Sequence, residues 1–128
     1  MPATVLVVDD EPSVRALAVR ALTDAGYRAI EAPDGREAWV LLQHGDQRVD
    51  LVLADVVMPQ LMGTELAALI REHLPHIPVL LLSGYDPAEL RARGIDSPAE
   101  LITKPFAIDD LVRRVQAALS EPGTSGAD

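Results

Sequence analysis

Thr4-Val5-Leu6-Val7-Val8-Asp9-Asp10-Glu11-Pro12 is the stretch that decides the fold. A compact, Val-rich run breaks abruptly into three acids and a proline. An apolar run of strand length without alternation reads as a strand buried on both faces, the kind found in parallel sheets. Pro12 suits the first turn of a helix. Val14, Leu17, Ala18, Ala21 and Leu22 then follow at helical spacing, and Gly26 supplies the stop. The unit is strand, acidic loop, helix.

The same unit recurs along the chain. Tyr27–Glu31 reads as a short second strand, and Asp34-Gly35 opens a helix to about His44 with Ala38, Leu41 and Leu42 on one face. Leu51–Ala54 is a third apolar strand ending in Asp55. After the loop from Val56 to Gly63, Thr64 is positioned to cap a helix striped with Leu66, Leu69 and Ile70. Val79–Leu82 forms a fourth strand ending at Ser83-Gly84, and Asp86-Pro87 opens a short helix. Glu100–Thr103 is a fifth strand ending at Lys104-Pro105-Phe106. A last helix, Ile108 to Ser120, turns Leu111, Val112, Val115 and Leu119 inward. One domain over residues 1–120 and a flexible tail over 121–128 are expected. Strands alternating with helices imply an α/β fold, a parallel sheet covered on both faces. Right-handed crossovers put every strand's C-terminal end on one edge, where such sheets form their sites.

Bulk properties narrow the function. With 128 residues and 48% hydrophobic content, the chain suits one globular domain. Its apolar runs fall far short of the roughly 20 residues that span a bilayer, and no signal-peptide pattern opens it. No membrane insertion and a cytoplasmic location are therefore expected. The absence of Cys removes disulfides and thiolate metal sites. A net charge of −9 without a Lys/Arg patch argues against direct nucleic-acid binding. His44, His73 and His76 share no metal-binding spacing and read as surface residues, while Trp39 and Phe106 read as packing residues.

The predicted edge collects Asp9 and Asp10 from the first strand, Asp55 from the third, Ser83 from the fourth and Lys104 from the fifth. Taken singly, each has a plain explanation as a turn, cap or surface residue. Together they make a set of chemical roles. Two carboxylates about 4 Å apart repel by roughly 4 kcal/mol at an effective dielectric of about 20, so a proton or a cation must intervene. All-oxygen donors favour Mg²⁺, with Mn²⁺ as a substitute. A carboxylate beside such a cation can attack phosphorus, with a Lys ammonium neutralising the phosphoryl oxygens and a Ser hydroxyl donating to them.

Val5-Leu6-Val7-Val8-Asp9-Asp10-Glu11, Asp55-Val56-Val57-Met58-Pro59 with Gly63, Leu82-Ser83-Gly84-Tyr85 and Lys104-Pro105-Phe106 resemble, in that order, the signatures of response-regulator receiver domains. Each motif alone is weak, but the four in sequence cover the chain from about Thr4 to Leu119. The resemblance implies a single, doubly wound, flavodoxin-like sheet of five parallel strands in the order 2-1-3-4-5, with five helices. It implies a phosphoryl acceptor in two-component (His-Asp phosphorelay) signalling, with Asp55 charged by a histidine kinase or histidine phosphotransfer protein. Asp10, Asp55 and the backbone carbonyl of Val57 would hold Mg²⁺ directly, and Asp9 through water. Ser83 and Lys104 would engage the phosphoryl group, and the Lys104–Pro105 bond would be cis.

Two departures matter. Leu101 stands where receivers often carry Tyr or Phe, so the usual aromatic switch lacks its ring. Val57 and Tyr85 flank the acceptor and should hinder an attacking water, which implies slow dephosphorylation. The motif endings are most similar to receivers attached to hybrid sensor kinases, whereas the start at Met1 favours a stand-alone regulator. The output partner is unspecified, and a weak homodimer is one expectation. Haloacid-dehalogenase-type phosphatases need a second Asp where Val57 stands. A phosphorylation-independent, receiver-like adaptor is the rival reading.

Overall fold

The computed structural model describes residues 2–45, 47–95 and 101–120. Five strands and five helices alternate: β1 (Thr4–Val8), α1 (Pro12–Asp24), β2 (Arg28–Ala32), α2 (Gly35–His44), β3 (Leu51–Asp55), α3 (Gly63–His73), β4 (Val79–Ser83), α4 (Pro87–Ala92), β5 (Leu101–Thr103) and α5 (Ile108–Ser120). The strands form one parallel sheet in the order β2-β1-β3-β4-β5. The topology that the resemblance implied is therefore present. The expected tail, 121–128, lies outside the described residues, as does Glu100, the expected start of the fifth strand.

Every residue of β1 and β3 is buried, because the pleat sends alternate side chains into two separate cores. Leu6, Val8, Val52 and Ala54 pack on one face with Ala38 of α2, Leu66 and Ile70 of α3 and Leu90 of α4. Val5, Val7, Leu51 and Leu53 pack on the other with Ala18 and Leu22 of α1 and Leu111 and Val115 of α5. Burying each large aliphatic side chain contributes roughly 1.5–3 kcal/mol, so these two layers hold the sheet. Trp39 and Phe106 pack against these cores, as expected.

Some boundaries differ from the sequence reading. β2 runs Arg28–Ala32, one residue later than expected, and Ala32 is its buried residue. Leu17, expected inward, is 45% exposed, because the buried stripe of α1 runs through Ala18, Ala21 and Leu22. α3 begins at Gly63, with Met62 as the capping position, so Thr64 lies inside the helix. The Glu65 carboxylate accepts the Met62 N–H at 2.8 Å and closes that end. At α4, Asp86 and Glu89 exchange the same bonds reciprocally at 2.8 Å, which supports a helix of only six residues.

The early start of α3 has a steric cause. A side chain at Gly63 would run into the backbone carbonyl of Asp55 and the Cα of Val56, and Gly63 itself donates its N–H to the Val56 carbonyl at 2.7 Å. The loop after β3 thus folds flat against the strand that carries Asp55. Gly63→Ala is expected to push the end of β3 out of place and destabilise the protein by about 1–3 kcal/mol in urea titrations. Wild-type stability in that variant would mean that the loop moves freely from the strand.

Candidate functional site

Register explains how the site assembles. Val8 pairs with Ala54 across β1 and β3, so the next residues, Asp9 and Asp55, leave the sheet side by side. Ser83 pairs with Thr103 across β4 and β5, and the Lys104 N–H donates to the Ser83 carbonyl at 2.7 Å. The Lys104–Pro105 peptide is cis. Lys104 then reaches back across the edge. Its Nζ stands 3.0 Å from Asp9 Oδ2, 3.3 Å from Asp55 Oδ2 and 3.3 Å from Glu11 Oε1.

Asp9 is wholly buried. Its Oδ1 accepts the Glu11 N–H at 2.9 Å. Its Oδ2 is close to Lys104 but outside hydrogen-bond geometry, and it is a buried oxygen without a hydrogen-bond partner. Ser83 is also buried, and its Oγ accepts the Tyr85 N–H at 2.9 Å. A shallow pocket of about 420 Å³ opens over these groups, lined by Asp10, Glu11, Asp55, Val57, Gly84, Tyr85 and Lys104.

Carboxylate oxygens of Asp9, Glu11 and Asp55 lie within 4.8 Å of one another. The sequence reading placed Asp10 among the direct metal ligands. Here the exposed Asp10 lines the pocket, while Glu11 completes the converging trio. In the sequence Glu11 stands only as part of the acidic run and the first motif, with no role of its own. Its place two residues beyond Asp9, at the start of α1, was the available signal. Oxygen-only donors and the unpartnered Asp9 Oδ2 fit a hard divalent cation.

Burial pushes the Asp55 carboxyl up from its ordinary value of 3.8 to about 6; the Lys104 charge opposes this shift, and the charges of Asp9 and Asp10 add to it. Burial alone would lower Lys104, but the Asp9 carboxylate 3.0 Å away and the charge of Asp55 raise it above its usual 10.5. Lys104 therefore stays cationic while Asp55 is costly to ionise without a further cation.

The sequence model of the response regulator receiver domain matches residues 5–116. The chain belongs to the response regulator receiver domain family. The receiver is 37% identical over 128 residues to the probable transcriptional regulatory protein TcrX of Mycobacterium tuberculosis, covering 99% of this chain and 54% of that one. It is 38% identical over 120 residues to the sensor kinase CckA of Brucella abortus, covering 93% of this chain and 13% of the kinase. The chain thus spans about half, or less, of the length of these relatives. The solved structure of the response regulator TrrA from Thermotoga maritima, in complex with Mg(2+)-BeF, is 31% identical with a TM-score of 0.76 over 91% of this chain and 98% of that one.

The raised Asp55 value fixes a pH dependence in metal-free solution. Between about pH 4 and 6 the folded receiver holds a proton that the unfolded chain has released, so stability falls as pH rises through that window. Asp55→Asn lacks this loss. Its stability relative to wild type should grow by about 1–2 kcal/mol from pH 4 to 7, allowing for partial solvent screening, and level off above. Urea titrations in EDTA across this range measure it, and a pH-independent difference would contradict the assignment.

Proposed function

We propose that the receiver accepts a phosphoryl group on Asp55 in a two-component phosphorelay and thereby biases a partner-binding surface. The juxtaposition that carries this reading is the Lys104 ammonium 3.3 Å from the Asp55 carboxylate, at the mouth of an open pocket beside the unpartnered Asp9 oxygen. A histidine kinase or histidine phosphotransfer protein would be the donor. An Asp55 oxygen attacks phosphorus, the phosphorus–nitrogen bond to the donor histidine breaks, and that nitrogen leaves with the electron pair. Lys104 turns from the carboxylates to the phosphoryl oxygens, and the Ser83 hydroxyl, whose oxygen accepts the Tyr85 N–H, donates its own proton to the same group.

Mg²⁺, held directly by Asp10, Asp55 and the Val57 carbonyl and through water by Asp9, would neutralise negative charge in the pocket during transfer, and Mn²⁺ could replace it. The complex of TrrA with Mg(2+)-BeF supports this choice of cation. The reading takes residues 1–120 as the functional unit and a cytoplasmic location. No helix among the described residues is long and apolar enough to cross a membrane. The likeness to both TcrX and CckA leaves two settings for the same chemistry, a regulator or a piece of a hybrid kinase, and the output partner follows from the setting.

Intact-mass spectrometry after incubation with Mg²⁺ and a small acyl phosphate or phosphoramidate tests the reading. One added phosphoryl group is expected, absent without Mg²⁺ and absent in Asp55→Asn. No adduct, together with no Mg²⁺-dependent binding of beryllium fluoride, would favour a phosphorylation-independent adaptor.

Val57 and Tyr85 line the pocket over Asp55, and the Tyr85 ring is held under the Arg93 guanidinium at 4.0 Å. A fixed ring beside an apolar side chain hinders water from reaching the phosphoryl group. The adduct should therefore decay slowly, and Tyr85→Ala should shorten its lifetime several-fold in a mass-spectrometric time course. Equal lifetimes would remove the ring from the account.

A further inference from the structure

We infer that Arg15 is a positioning residue for the cation site, acting through the peptide that joins Asp9 to Asp10. The inference rests on the Mg²⁺-binding reading above. Arg15 sits one turn into α1, with its side chain 18% exposed. One guanidinium nitrogen donates to the backbone carbonyl of Asp9 at 2.7 Å. A second, Nε, donates to Glu31 Oε1 on β2 at 2.9 Å. None of these three residues lines the pocket, yet the contact reaches it through Asp10, the next residue along the chain.

The Asp9 carbonyl and the Asp10 N–H share one rigid peptide plane. Its orientation sets ψ of Asp9 and φ of Asp10, and so the relative directions in which the two neighbouring carboxylates leave the backbone. Three contacts hold that orientation. The Asp9 N–H donates to the Ala32 carbonyl at 3.3 Å, Asp9 Oδ1 accepts the Glu11 N–H at 2.9 Å, and Arg15 holds the Asp9 carbonyl. Of the three, only the Arg15 contact uses a side-chain donor, anchored in turn on a neighbouring strand. The fork needs two nitrogens in fixed relation, which a lysine ammonium does not offer. Asp9 Oδ2, which makes no hydrogen bond, faces the Lys104 ammonium at 3.0 Å.

Two effects of removing Arg15 have opposite signs. By Coulomb attraction alone, deleting a cation beside an acidic pocket should tighten Mg²⁺ binding. If Arg15 positions the ligands, deletion should weaken it. Calorimetric titration of the full chain with MgCl₂, well below each variant's melting temperature, separates them. Arg15→Lys keeps the charge and loses the fork, and Arg15→Gln loses both. Both are expected to weaken Mg²⁺ binding about tenfold, the usual effect of losing a group that orients a ligand. Glu31→Gln, which loosens the anchor only, should weaken it less. If Arg15→Gln fails to fold, Arg15→Lys and Glu31→Gln decide.

Unchanged affinity in Arg15→Lys, or tighter binding in Arg15→Gln, would overturn the inference while leaving phosphoryl transfer standing. A wild-type chain that binds no Mg²⁺ would remove the functional reading and this inference with it.

Discussion

The structure depends on one ammonium group shared among three carboxylates. Lys104 Nζ lies 3.0–3.3 Å from oxygens of Asp9, Asp55 and Glu11, and its side chain is 13% exposed. Three acids against one cation leave the cluster short of positive charge, and burial denies Asp9 and Asp55 the screening of water. The protein absorbs the imbalance in the Asp55 carboxyl, which holds its proton to about pH 6, and in the tight retention of the Lys104 proton. The folded chain is therefore electrostatically incomplete at neutral pH. A second cation and a phosphoryl group are complementary to that state, the one supplying charge and the other claiming the lysine.

Such a cluster survives only on a scaffold that cannot relax around it. Both faces of β1 and β3 are sealed, so neither strand can slide without exposing an entire apolar set. Register then carries the two acids out of the sheet next to each other, and the Gly63 contact presses the following loop against β3. The repulsion between Asp9 and Asp55 is held by hydrophobic packing on either side of it, where about two large buried side chains together contribute as much as one such repulsion costs.

The features legible in the sequence share a cause. β1 and α5 are bounded where the apolar pattern begins and ends, because burial alone sets those limits. Asp9, Asp55, Ser83 and Lys104 were legible because each ends a strand, and parallel topology collects strand ends. What escaped depends on side-chain reach. Glu11 extends from the capping position of α1 to Lys104, and Arg15 bends back to β1 and β2, which no periodicity records. The start of α3 escaped for a different reason. Thr64 has good capping chemistry, but close approach to the Asp55 carbonyl put Gly63 in the first turn and moved the cap to Met62.

Leu101 completes the picture of how the site is joined to its surroundings. It is half-buried against the same core as Tyr85 and has no hydroxyl or ring to exchange partners. The aromatic group in this neighbourhood sits instead on the β4 side. The Tyr85 N–H is bonded to the Ser83 hydroxyl, and the Tyr85 ring lies beneath Arg93, the residue that closes α4. Strand end, ring and helix end are thus one connected unit. Any displacement of the Ser83 hydroxyl must give up the Tyr85 N–H, a loss of about 1 kcal/mol on a residue already tied to α4. With a chain of only six residues, α4 has few contacts of its own to resist what happens at Ser83. Leu101 therefore removes one mechanical link from the site edge, while Tyr85 and Arg93 supply another on the adjacent strand.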